Sequence, residues 1–101
     1  MTNKAKTNEK GQVTLTLTIS GVNVLLNPPK TKHLKAIQVA ANQADATDVG
    51  LAQVMVQLLT DKWGDRPTVT MDDLDDLDPR DFMEVASALD NFPAMAKFKE
   101  I

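Results

Sequence analysis

Between residues 13 and 26 apolar and polar positions alternate with a period of two. Val13, Leu15, Leu17 and Ile19 are separated by Thr14, Thr16 and Thr18, and Val22, Val24 and Leu26 resume the alternation after Ser20-Gly21. Successive side chains of a strand point to opposite faces, so this pattern predicts two half-buried strands, each with one apolar face and one polar or hydroxyl-lined face. Gly21 supplies the positive φ that a tight turn needs, which makes the pair a hairpin. Asn27-Pro28-Pro29 ends the second strand, because proline has no N–H for the ladder and pushes the residue before it toward extended backbone.

From Thr31 the spacing becomes helical. Leu34, Ile37, Gln38 and Ala41 form one stripe, with Thr31 as the candidate N-cap, and the pattern fades through residues 42–46. A second helix opens at Thr47 or Asp48 and carries Val49, Ala52, Met55 or Val56, Leu59 and Trp63 at three- and four-residue steps, with Gly64 as its terminator. Thr70 and Asp73 have the Thr-x-x-Asp form of a capping box ahead of a brief helix through Leu74 and Leu77. Asp78 as N-cap, Pro79 at the first helical position and Asp81 in the first turn signal a further helix bearing Phe82, Val85, Ala86, Leu89 and Phe92. Pro93 ends or kinks it. Met95, Phe98 and Ile101 then recur every three residues, a spacing that suits a turn or two of helix held by a partner.

The expected fold is therefore α+β, an N-terminal β-hairpin followed by a small bundle of three or more helices. Residues 1–12 read as a flexible leader, 13–92 as a single domain, and 93–101 as a C-terminal tail or short helix. The 101 residues, 43% hydrophobic and 25% charged, fit one ordinary globular domain. A chain of this size buries only about 60 to 65% of the surface it exposes when unfolded, so self-association into a homo-oligomer is a natural supplement. Cysteine is absent, which excludes disulfides and thiolate metal sites and makes the cytosol the expected compartment. Residues 1–11 are polar with no apolar run behind them, so neither a secretory signal nor a membrane contact is expected.

Charge adds an asymmetry that the net value of −3 conceals. Residues 1–35 carry six lysines against Glu9, a net +5, whereas the remainder carries five bases against thirteen acids, a net −8. A chain polarised in this way suits charge-matched association, because complementary fields speed encounter and set orientation.

Candidate chemistry is sparse, and no enzyme is expected. His33, the sole histidine, sits among lysines that discourage its protonation, and no orienting partner for general-base work is visible. Glycine-rich phosphate loops and a Gly-x-Ser-x-Gly elbow are missing, and no cofactor is expected. If Asp73 opens a calcium loop, Asp75 falls third and Glu84 twelfth. Leu77 then occupies the fifth position, a ligand site, and Asp78 the sixth, where glycine must turn the loop, so no metal is expected. The basic stretch Lys30, Lys32, His33, Lys35 has no arginine for bidentate base reading and no aromatic for stacking, which argues against a nucleic-acid partner. Trp63 and Phe82 fall on apolar stripes and are expected in the core.

The order of these features resembles the phage tail assembly chaperone family. The likeness rests on the threonine-rich strand pair, the basic entry Pro29-Lys30-Thr31-Lys32-His33-Leu34-Lys35, the Ala/Leu/Val-rich helix, and the run Val69-Thr70-Met71-Asp72-Asp73-Leu74-Asp75-Asp76-Leu77-Asp78-Pro79-Arg80-Asp81-Phe82. It covers roughly residues 13–92. In that family an acidic, leucine-rich turn precedes Asp-Phe and a helix, as Asp81-Phe82-Met83 stands here. The resemblance implies a chaperone that binds the tape measure protein in multiple copies in the host cytoplasm, keeps it soluble and guides tail tube assembly. It further implies absence from the mature virion, the tail tube protein as a second candidate partner, and in many members a longer frameshifted form. It carries no residue for the tape measure contact. The residues themselves point to the acidic part of the chain and to Phe92, Met95, Phe98 and Ile101, since Met and Phe make adaptable apolar contacts. The alternative at that end is a tail folded back on its own core. The competing function is a small phage-encoded adaptor or inhibitor that binds a host protein at low stoichiometry.

Overall fold

The computed structural model describes residues 5–92. The expected hairpin is present: β2 (Val13–Thr16) pairs antiparallel with β3 (Asn23–Leu26), placing Leu15 opposite Val24 and Val13 opposite Leu26. Val13, Leu15, Leu17, Val24 and Leu26 are buried, so the period of two does select the core face. Ile19 departs from it. It lies in the loop beyond the last strand pair and is 48% exposed. Gly21, at φ +74°, closes that loop by donating its N–H to the Leu17 carbonyl.

The hairpin is the centre of a larger antiparallel sheet ordered β1-β2-β3-β4. The first edge, β1 (Lys6–Thr7), lies within the stretch read as a leader and pairs with Thr14 and Val13. Asn8 builds the turn between β1 and β2, its side-chain oxygen accepting from the N–H groups of Lys10 and Gln12 at 2.9 and 3.0 Å.

The other edge corrects the second helix. That helix, α2, spans Asp48–Leu59, and the chain passes directly into β4 (Thr60–Trp63), so Trp63 belongs to a strand and Gly64 does not cap a helix. Thr60 takes extended backbone while both its N–H and its hydroxyl donate to the Val56 carbonyl, the hydroxyl at 2.6 Å, which ties the start of the strand to the last turn of the helix. The ladder to β3 runs Leu26 to Thr60, Leu25 to Lys62 and Val24 to Trp63, with a shift between Leu25 and Leu26. That irregularity puts Thr60 and Trp63 inward and Asp61 and Lys62 outward, a spacing of three that imitates a helix. Gly64, at φ +62°, turns the chain so that Trp63 and Arg66 exchange backbone hydrogen bonds.

The first helix, α1 (Thr31–Ala41), is N-capped by Lys30 rather than Thr31. Thr47 caps α2, its hydroxyl accepting from the Gly50 N–H at 2.9 Å. The capping box of α3 (Met71–Asp75) is formed by Thr70 and Asp73. Asp78 caps α4 (Pro79–Ala88), with Pro79 at its start and a 3-10 turn (Leu89–Asn91) after it. α1 packs on α2, α2 on α3 and α4, and α4 on β2, so the helices enclose one core with the sheet's apolar face. Ile37, Val56, Leu59, Val69, Val85 and Leu89 are all but fully buried there. Each such side chain contributes about 1.5 to 3 kcal/mol relative to exposure. The fold is α+β, with a four-stranded sheet in place of the expected lone hairpin.

Candidate interaction sites

Three groups of polar side chains stand out. The first joins α4 to the hairpin loop. Asp81 is fully buried, and its two oxygens accept the backbone N–H groups of Ile19 and Ser20 at 2.8 and 2.9 Å. One turn later Glu84 accepts from the N–H and the hydroxyl of Thr18, at 2.9 and 2.7 Å. Burial pushes the Asp81 carboxyl up, but the hydrogen bonds from Ile19 and Ser20 outweigh it and hold the group below the ordinary carboxylate value. Asp81 therefore does more than stabilise the first turn of its helix. The available signal was the pair of acids three residues apart, which share a helix face, together with a loop rich in N–H and hydroxyl donors.

The second group lines a cleft of about 390 Å³ formed by Lys10, Gln12, Asn27, Pro28, Lys30, Lys32, His33 and Leu58. The chain brings these together because the β1–β2 turn, the end of β3 and the start of α1 meet at one end of the molecule. His33 accepts the Lys30 N–H on Nδ1 at 2.9 Å, which fixes the proton of the neutral ring on Nε2. Partial burial, then the charges of Lys32 and Lys30, lower the His33 pKa below 6.5. Neither Asp81 nor Glu84 lines this cleft, so histidine and acids do not form a common constellation.

The third group is the acidic stretch. Asp73 accepts from the Thr70 N–H at 3.0 Å and pairs with Arg66 at 2.8 Å. These contacts, Thr70 first, lower its pKa. Asp78 holds Arg80 in a two-pronged contact at 3.1 and 3.2 Å, which lowers the aspartate and raises the arginine. Asp75 accepts from Gln53 Nε2 at 2.8 Å. Among the described residues no three histidines or carboxylates stand together as a metal site, and no helix is long and apolar enough to cross a membrane.

Of the residues expected to meet a partner, Phe92 is 2% exposed and packs in this chain's own core, its N–H donating to the Leu89 carbonyl. Met95, Phe98 and Ile101 lie outside the described residues. Among the described residues the large apolar side chains that do face solvent are Ile19, Val39, Val49 and Met83. Val49, on the apolar stripe that the spacing predicts for α2, is 59% exposed, and the buried side chains of that helix are Met55, Val56 and Leu59 in its second half. Trp63 is buried as expected, and Phe82 is partly buried against the core. Among known proteins the chain matches no family model, no curated protein and no solved structure.

Proposed function

We propose that the protein is a tail assembly chaperone of a tailed bacteriophage, binding the tape measure protein in multiple copies in the host cytoplasm while the tail tube is built. The observation that carries this reading is the run 69–82, which folds as two successive capped helix starts, at Thr70 and Asp78, and delivers Asp81-Phe82 onto α4. Charge separation supports it further. The lysines at the start of α1 and the acids of α3 sit on different elements, each packed on α2, an arrangement suited to charge-matched rows of copies along a rod. Ile19, Val39, Val49 and Met83, between 48% and 63% exposed, supply modest apolar contacts of the kind that a long amphipathic helix takes up. Weak contacts of this sort become effective when many copies act on one chain, through high local concentration.

Co-expression with the tape measure protein of the same genome tests the proposal. The expected outcome is a tape measure protein that is soluble only in the presence of this chain and is captured with it. An insoluble tape measure protein and no association would favour the small adaptor or inhibitor of a host protein.

A further inference from the structure

The cleft beside the N-terminal end of α1 has a hydrogen-bonding polarity of its own, beyond the charge of its lysines. Its lining holds three ammonium groups and no carboxylate. Among the described residues the ion pairs are Arg66–Asp73 and Arg80–Asp78, so Lys10, Lys30 and Lys32 are unmatched. The neutral groups are committed in one direction. Gln12 is used at both ends, its oxygen accepting from Asn8 Nδ2 at 3.1 Å and its Nε2 donating to Asn27 Oδ1 at 2.8 Å. Asn27 is left with its NH2 group. His33, with Nδ1 occupied by the Lys30 N–H, is left with Nε2–H. What the cleft offers a ligand is therefore a set of donors and positive charges above the apolar surface of Pro28 and Leu58.

We propose that this cleft binds a multiply charged phosphate group, free or at the end of a small phosphate ester, through Lys10, Lys30 and Lys32, with Asn27 Nδ2 and His33 Nε2 as neutral donors. The volume of about 390 Å³ admits a small ligand and excludes a folded partner. Three separate ammonium groups match an anion with several oxygens and two or more charges. A single carboxylate has one charge and is better served by the planar fork of an arginine, which the lining lacks. The proposal is independent of the chaperone reading and survives its failure.

Amide chemical shifts of the full chain, followed during titration with pyrophosphate and separately with ATP at constant ionic strength, test it. Saturable shifts centred on Lys10, Gln12, Asn27, Lys30, Lys32 and His33 are expected. Equal affinity for the two ligands assigns recognition to the phosphate groups alone, and tighter binding of ATP with added shifts at Leu58 assigns it to an ester. The double substitution Lys30→Gln, Lys32→Gln is expected to weaken binding roughly tenfold or more, since charge-assisted contacts are the strong ones. Lys10→Gln, on a different element, provides the same test if the double variant fails to fold. Lys62→Gln, outside the lining, leaves binding unchanged. Shifts that rise linearly at every lysine and persist in the substituted chains would overturn the proposal. So would saturation by an aspartate-rich peptide in the absence of any response to pyrophosphate, which would reassign the cleft to protein carboxylates.

Discussion

The Asp81–Glu84 pair and the lysines of the cleft are both clusters of like charge, yet their surroundings are opposite. Each carboxylate oxygen of the pair that meets the hairpin loop accepts a hydrogen bond, and Asp81 is withdrawn from solvent entirely. The three lysines are unmatched and face an open cleft. A buried charge with its bonds satisfied fixes the fold, and removing it leaves its donors orphaned at full desolvation cost. An exposed charge with nothing to satisfy contributes little to stability and remains free for a ligand. Charge content alone does not separate the two roles; the partners do.

Asp81→Ala is the sharpest test of that contrast. It strands the N–H groups of Ile19 and Ser20, and a loss of about 3 kcal/mol in urea unfolding is expected, against a change within about 0.5 kcal/mol for Lys30→Gln with Lys32→Gln. The Asp81 carboxyl lies below its ordinary value in the folded chain. Its stabilisation is therefore complete above the unfolded value of about 3.9 and is lost as pH falls through the folded value, a dependence that Asp81→Asn removes from acid unfolding curves. Glu84→Ala is expected to cost about 1.5 kcal/mol in the same denaturation assay, since its partner Thr18 is exposed and gains water in exchange.

The capping acids stand between the two extremes. Thr70→Ala opens the box at α3 and is expected to lower stability by about 1 kcal/mol, again by denaturation. His33 gives the smallest effect. Its folded pKa is depressed, so stability is full above about 6.5 and declines as pH drops below that value, because partial burial and then the charges of Lys32 and Lys30 penalise the imidazolium. Thermal melts between pH 7 and 5 check this, and His33→Gln flattens the difference. Equal losses for Asp81→Ala and the double lysine variant would break the comparison.

Much of this fold was legible in the sequence because its signals are local. The alternation at 13–17 and 22–26, Gly21, the two prolines and the caps at Thr47, Thr70 and Asp78 each depend on neighbours a few residues away. The β4 strand was not legible, since its bulge replaces alternation with the spacing of three between Thr60 and Trp63 and prolongs the helical pattern of α2. Nor was β1, two polar residues that owe their pairing to Thr14 and Val13 and to the Asn8 turn. The grip of Asp81 on the hairpin spans more than sixty positions in sequence, and no local rule links the two ends. Phe92 illustrates the same limit: its apolar character announced a contact, but only packing decided that the contact lies within this chain.

The central functional claim is one of stoichiometry, and the mass of the complex with the tape measure protein, measured by light scattering after co-expression and size separation, tests it most directly. Many copies of this chain on each tape measure chain are expected. One or two copies, or no complex at all, would contradict it.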